Sequence, residues 1–154
     1  MKTTNKLLTL IIIFSSLFSL QSQNKFSKRK IENLKEEVSQ LVEDDKKMTQ
    51  VMIDKVFSFG ELGFQEFETS KYLGKILEEN GFDVEYQISG IPTSWLATWS
   101  NGEGGPTIAL GSDFDGVPST SQYPGVAYEK PVVEGAPGHG EGHNIGLPIV
   151  ITSA

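Results

Sequence analysis

Two short stretches carry residue types that could do chemistry. The first is Asp113-Phe114-Asp115. In extended backbone, side chains two apart share a face, so both carboxylates would point the same way and could hold a cation or orient a ligand. The Asp115-Gly116 pair equally suits a plain turn, and spacing alone leaves the two readings level. The second stretch is Gly138-His139-Gly140-Glu141-Gly142-His143-Asn144, which holds both of the 2 His in the chain with a carboxylate between them. Neutral imidazole and carboxylate are good ligands for zinc and similar ions, and a carboxylate has two oxygens with which to bridge a pair of ions. The interleaved Gly residues let the backbone bend so that side chains converge. A flexible polar loop is the plain alternative; the ligand types favour metal. This is not the helical His-Glu-x-x-His arrangement of single-zinc proteases, because Glu141 follows His139 by two residues. There is no Gly-x-Ser-x-Gly elbow and no Gly-rich phosphate loop ending in Lys.

Hydrophobic periodicity predicts the elements that must position these groups. Ile31, Leu34, Val38, Leu41 and Val42 fall on one face of a helix over 28–58. Met48, Val51, Met52 and Val56 continue it after a charged patch, Glu43 to Lys47. That patch is either a solvated turn of one long helix or a break between two. Glu61 to Glu66 is a loop. A second helix follows over about 67–80, with Tyr72, Leu73, Ile76 and Leu77 as its stripe and Asn80-Gly81 as its stop. Phe82, Val84, Tyr86 and Ile88 alternate as a half-buried strand does. Trp95, Ala97 and Trp99 mark a second strand across the turn at 89–92, which predicts a hairpin. Trp95 and Trp99 could stack on a ligand, but packing on a sheet face is the commoner use of such residues and is the reading adopted. Thr107 to Leu110 is a short uncharged run that suits a strand buried on both faces of a sheet, beside the hairpin. Gly111 to Gly146 shows no sustained period and reads as a long loop, of the kind that is often functional. No internal repeat or coiled-coil heptad run is present. The expected fold class is α/β.

Composition bounds the function. The chain has 154 residues, 20 Asp and Glu against 13 Lys and Arg, and a formal charge of −7. That balance argues against a general nucleic-acid binder, which needs a basic face to displace counterions from phosphates, and leaves room for a local basic pocket. With 0 Cys there is no disulfide and no thiolate nucleophile or ligand. The first residues read as a signal peptide: Lys2 and Lys6, an apolar run from Leu7 to Leu20, then the polar exit Gln21-Ser22-Gln23-Asn24. The run is short for a stable membrane span, which needs about 20 apolar residues. Residues 1–23 are therefore expected to be a cleaved signal, with 24–154 exported to the periplasm or beyond.

Three stretches together resemble the aminoacylase and carboxypeptidase clan of metal-dependent amidohydrolases, in its aminobenzoyl-glutamate utilisation branch. They are Glu61-Leu62-Gly63-Phe64-Gln65-Glu66, Asp113-Phe114-Asp115-Gly116-Val117-Pro118 and Gly135-Ala136-Pro137-Gly138-His139-Gly140-Glu141-Gly142-His143-Asn144. Gly125-Val126-Ala127-Tyr128 also fits, and the resemblance covers about residues 48–154 in order and spacing. It implies a bridging metal ligand at Glu141 and an imidazole ligand at His143. Asp113 stands where many members have a metal-binding His. Asp115 matches the acid of the Asp-x-x-Pro motif and counts with the catalytic residues, supporting the ligands from behind. His139 matches a loop His in the same supporting role. Two divalent ions are implied for a complete site, zinc or manganese, since Glu141 is a harder ligand than the Cys of many members. The implied substrate is a small N-acyl or aminobenzoyl amino acid amide, and a complete enzyme could form a homo-oligomer.

In that clan a helix follows Asn144, then a catalytic Glu that shuttles the proton, further ligands, a lid or dimerisation domain and a last His. None of these is expected in this sequence, which stops at Ile151-Thr152-Ser153-Ala154 within an apolar stretch. The expectation is therefore the amino-terminal part of an α/β/α metallo-hydrolase domain with a β-hairpin, incomplete and inactive alone. The alternative is a secreted module that holds a metal or ligand without turnover. A third reading makes the 28–58 helix an association element and the loop bland.

Overall fold

A computed structural model describes residues 26–154. The expected signal peptide lies outside the described residues. Residues 41–154 form one compact unit, and the described residues before them belong to another.

Helix α1 runs over Lys28–Phe59 without a break, so the charged patch is a solvated turn of one helix. Its early apolar positions behave differently from its late ones. Ile31, Leu34, Val38, Leu41 and Val42 stay exposed, whereas Met52 and Val56 are fully buried. Periodicity reveals that a helix has an apolar face; it does not reveal where along that face packing begins.

Helix α2 spans Phe67–Glu79 and stops at Asn80, whose backbone N–H returns to the last turn. Strands β1 (Asp83–Tyr86) and β2 (Trp95–Thr98) form an antiparallel hairpin. Val84 faces Ala97 and Tyr86 faces Trp95, so the predicted inward residues share one side. Ile88 sits in a short 3-10 turn over Ile88–Gly90 instead of extending the strand. Trp95 packs on the core as expected, but Trp99 lies past the end of β2 and is exposed.

The expected buried strand at 107–110 does not form. These residues have no regular structure, and Ile108 is 79% exposed. A strand buried on both faces needs ladder partners on each side. Among the described residues the sheet has two strands, and neither pairs with this run.

The core of the second unit lies where three helices meet. Met52 and Val56 of α1, Leu73 and Leu77 of α2, and Leu147 and Ile151 of α3 make one buried cluster. The last helix, α3, covers His143–Ser153. The sequence was expected to lack the helix after Asn144; it is present, and buries Asn144, Leu147, Pro148 and Ile151. The architecture is thus mixed helix and sheet, consistent with α/β. Trp95, Val84, Ala97 and Phe114 pack against the cluster from the hairpin and the Asp113–Asp115 loop.

Candidate metal centre

The three stretches singled out by their motifs are stitched together by backbone. Gly116 N–H donates to Glu61 O at 2.6 Å, Val117 N–H donates to Gly138 O at 2.8 Å, and Gly138 N–H returns to Val117 O at 3.1 Å. Leu62 bridges Gly116 in parallel and Val117 bridges Gly138 antiparallel. Close approach requires glycine at Gly138: a Cβ there would lie 2.5 Å from Thr120 O. The expected long loop thus ends at Gly142, where α3 begins, and up to there it has isolated bridges instead of helix, yet its chemistry-bearing ends are fixed against each other.

The early loop's two acids support the frame. Glu61 accepts from the backbone N–H groups of Glu68 and Thr69 at 3.0 and 2.9 Å, and from Thr69 Oγ1 at 2.8 Å. It thereby satisfies the amides left open at the start of α2. The residue just before that helix, Glu66, makes no such cap; it is buried and accepts from Thr93 Oγ1 at 2.6 Å.

His143 opens α3, delivered by Gly142 in a left-handed conformation at φ 100°. Its ring lies between the two carboxylates of the Asp113-Phe114-Asp115 stretch. Nε2 is 3.2 Å from Asp113 Oδ1, and Nδ1 is 3.0 Å from Asp115 Oδ1 and 3.1 Å from Asp115 O. These three residues offer ligand atoms that all lie within 4.8 Å of one another. Glu141 stands beside them, with Oε1 3.5 Å from His143 Nδ1, but outside that three-residue group.

His139 lies behind Glu141. Its side chain is fully buried, with Nε2 3.0 Å from Val56 O in the last turn of α1 and Nδ1 3.3 Å from Glu141 Oε1. The ring ties the metal-type loop to a helix end whose carbonyls lack partners within the helix. Nothing in the spacing of 83 residues between these partners could have revealed it.

Electrostatics follow from this geometry. Burial alone would lower the His143 pKa. The hydrogen bond to Asp115 O and the charges of Asp113, Glu141 and Asp115 outweigh it, and hold the pKa above its ordinary 6.5. Burial would likewise raise the Glu141 pKa; hydrogen bonds from its own backbone N–H, His139 and the His143 N–H, with the His143 charge, bring it below the ordinary value.

The donor set fits a divalent ion. His143 Nε2 and Asp113 Oδ1 are 3.2 Å apart, close to the separation of about 3.3 Å between two ligands on one tetrahedral zinc. Asp115 on Nδ1 is the carboxylate–imidazole pairing that orients a ligating His and makes it more basic. Two carboxylates and an imidazole from separate segments are thus gathered within ligand reach of one point.

Comparison with known proteins finds relatives among hydrolases and peptidases. Over 108 residues, 70% of the chain, it is 32% identical to a p-aminobenzoyl-glutamate hydrolase subunit of Escherichia coli. Over 64 residues, 42% of the chain, it is 33% identical to thermostable carboxypeptidase 1 of Saccharolobus solfataricus. The similarity supports an amidohydrolase- or peptidase-like family for this chain. The matches span 22% and 16% of the length of these relatives. No protein-family model matches the chain, and no solved structure does.

Proposed function

We propose that the chain carries part of the two-metal site of an amidohydrolase acting on small N-acyl or aminobenzoyl amino acid amides. The observation that supports this reading most is His143 held between Asp113 and Asp115, with Glu141 alongside. The substrate class comes from the name of the relative matched over 70% of the chain.

Each residue has a part in the proposal. Asp113 and the Nε2 of His143 would hold one ion, and Glu141 would supply the further carboxylate that the family resemblance implies. Asp115 keeps a proton on Nδ1 of His143, so that Nε2 presents its lone pair. His139 fixes the Glu141 carboxylate from behind. Two bound ions, zinc or manganese, would activate a shared water and polarise the amide oxygen. In this reading residues 24–154 are the amino-terminal part of an α/β/α metallo-hydrolase domain, exported after loss of residues 1–23. The exported location is motivated by the Lys, apolar, polar order of the first 24 residues.

Calorimetric titration of the chain with zinc tests the site. Weak binding is expected, because zinc normally takes about four ligands and these side chains must serve two ions. Binding should vanish in His143→Ala. Zinc binding unaffected by His143→Ala would remove the basis of the proposal. Zinc binding with no amide hydrolysis, even by a longer natural form of the chain, would favour the non-catalytic metal-binding module instead.

A further inference from the structure

We propose that Trp95 is a positioning residue for the Asp113–Asp115 pair, acting through Phe114. The proposal rests on the metal-site reading above and adds a residue from outside the metal-type loops.

Among the described residues, 107–115 make no backbone–backbone hydrogen bond; the first below them is Gly116 N–H to Glu61 O. Ser112 and Asp113 are exposed. A run so poorly tied has no backbone reason to present two carboxylates to one imidazole. Phe114 supplies the reason. It lies between the acids, and its ring stacks on that of Trp95 with centroids 6.3 Å apart and planes 9° from parallel. Alternation then turns Asp113 and Asp115 away from the core, toward the two nitrogens of His143. Trp95 is itself fixed, paired with Tyr86 across the hairpin and packed against the buried cluster.

One detail makes the idea separable from general stability. Trp95 Nε1 is buried and has no hydrogen-bond partner. The indole is therefore held by ring packing alone. Phenylalanine at this position would keep a stacking face and lose no hydrogen bond. Leucine would keep apolar volume and lose the face.

The test uses cobalt(II), whose visible absorption reports ligand geometry, on the full chain and three variants. Trp95→Leu should weaken cobalt affinity about tenfold or more, the scale seen when groups supporting a metal ligand are removed, and should change the absorption band. Trp95→Phe should restore both affinity and band. Val84→Ala removes apolar packing on the neighbouring strand without touching the stack. It should lower the unfolding midpoint and leave the band unchanged. Cobalt binding by Trp95→Leu that matches the unaltered chain would overturn the proposal. So would an equal loss in Val84→Ala, which would make the role merely structural.

A metal-free readout separates the two readings. Through-space NMR cross-peaks between the His143 ring and the β protons of residues 113 and 115 should be present in the chain and absent in Trp95→Leu. Their persistence in that variant overturns the positioning role. Failure of the unaltered chain to bind cobalt, with those cross-peaks absent in the variant, overturns the metal-site reading and leaves the positioning role standing.

Discussion

A single imidazole carries most of the local argument, and its behaviour can be predicted in sign. The metal-free His143 should titrate above 6.5, because three carboxylates and a carbonyl face it. NMR of the ring protons would show this, and Asp113→Asn should bring the midpoint down. A raised folded-state pKa means that stability gained from the imidazolium is fully present below the unfolded value and is lost as pH rises through the folded one. The stability difference between the chain and His143→Gln should therefore shrink as pH rises past 6.5 and beyond. The effect should be small, since the side chain is 30% exposed and screened by water. Zinc affinity should move the opposite way, tightening with pH as the ion displaces the proton on Nε2. Asp115→Ala should weaken zinc about 10–100-fold by removing the carboxylate behind the ligand. An affinity unchanged in that variant would show that the Asp115 side chain does not orient the ring.

The elements explain what could be read in advance and what could not. Local signals were legible: the apolar stripe of α2, the Asn80-Gly81 stop, the alternation of the hairpin and the apolar face of α1 each depend on neighbours a few residues apart, whereas the course of α1 through Glu43 to Lys47 stayed open between one helix and two. Signals that depend on distant partners were not. The 107–110 run has the composition of a buried strand, yet composition cannot supply the strands that would flank it. The helix over His143–Ser153 was missed because its mixture of apolar residues with an internal Pro148 shows no stripe. The candidate site was half legible. Residue types identified Asp113, Asp115, Glu141 and His143, but not that His143 would touch both acids, nor that Glu61 would cap α2 from seven residues upstream. That cap leads to an element-scale prediction. Glu61→Ala removes an acceptor of three hydrogen bonds, and should cost about 0.5–2 kcal/mol of stability, as losses of helix caps do. Glu61→Gln should recover part of it. Urea unfolding would measure both, and an unchanged midpoint for Glu61→Ala would show that water replaces the carboxylate without loss. Gly138→Ala should be worse, by about 1–3 kcal/mol, because the new methyl meets backbone at Thr120 and cannot be accommodated by a rotamer change.

At the scale of the whole molecule the question is whether this assembly of loops can turn over an amide. The proposal is that the chain, as these 154 residues, does not. Asp113 and Asp115 both lie against His143, and Glu141 lies between His143 and His139. A catalytic zinc keeps about three protein ligands, so two ions ask for more donors than these side chains provide. No carboxylate of the cluster is left over to carry a proton from water to the leaving amine, which is the work of a general base placed within hydrogen-bond reach. The site is also open to water: the Asp113 side chain is 70% exposed and that of Asp115 40%. Loss of enclosure lets water screen the interactions that hydrolysis needs to strengthen in its transition state. The expected result is therefore zinc binding without measurable release of glutamate from p-aminobenzoyl-glutamate. The same assay on any longer natural form of the chain should show activity that is lost in His143→Ala. Turnover by the 154-residue chain itself, abolished by Glu141→Ala, would mean that Glu141 supplies the proton transfer assigned here to a residue outside the cluster.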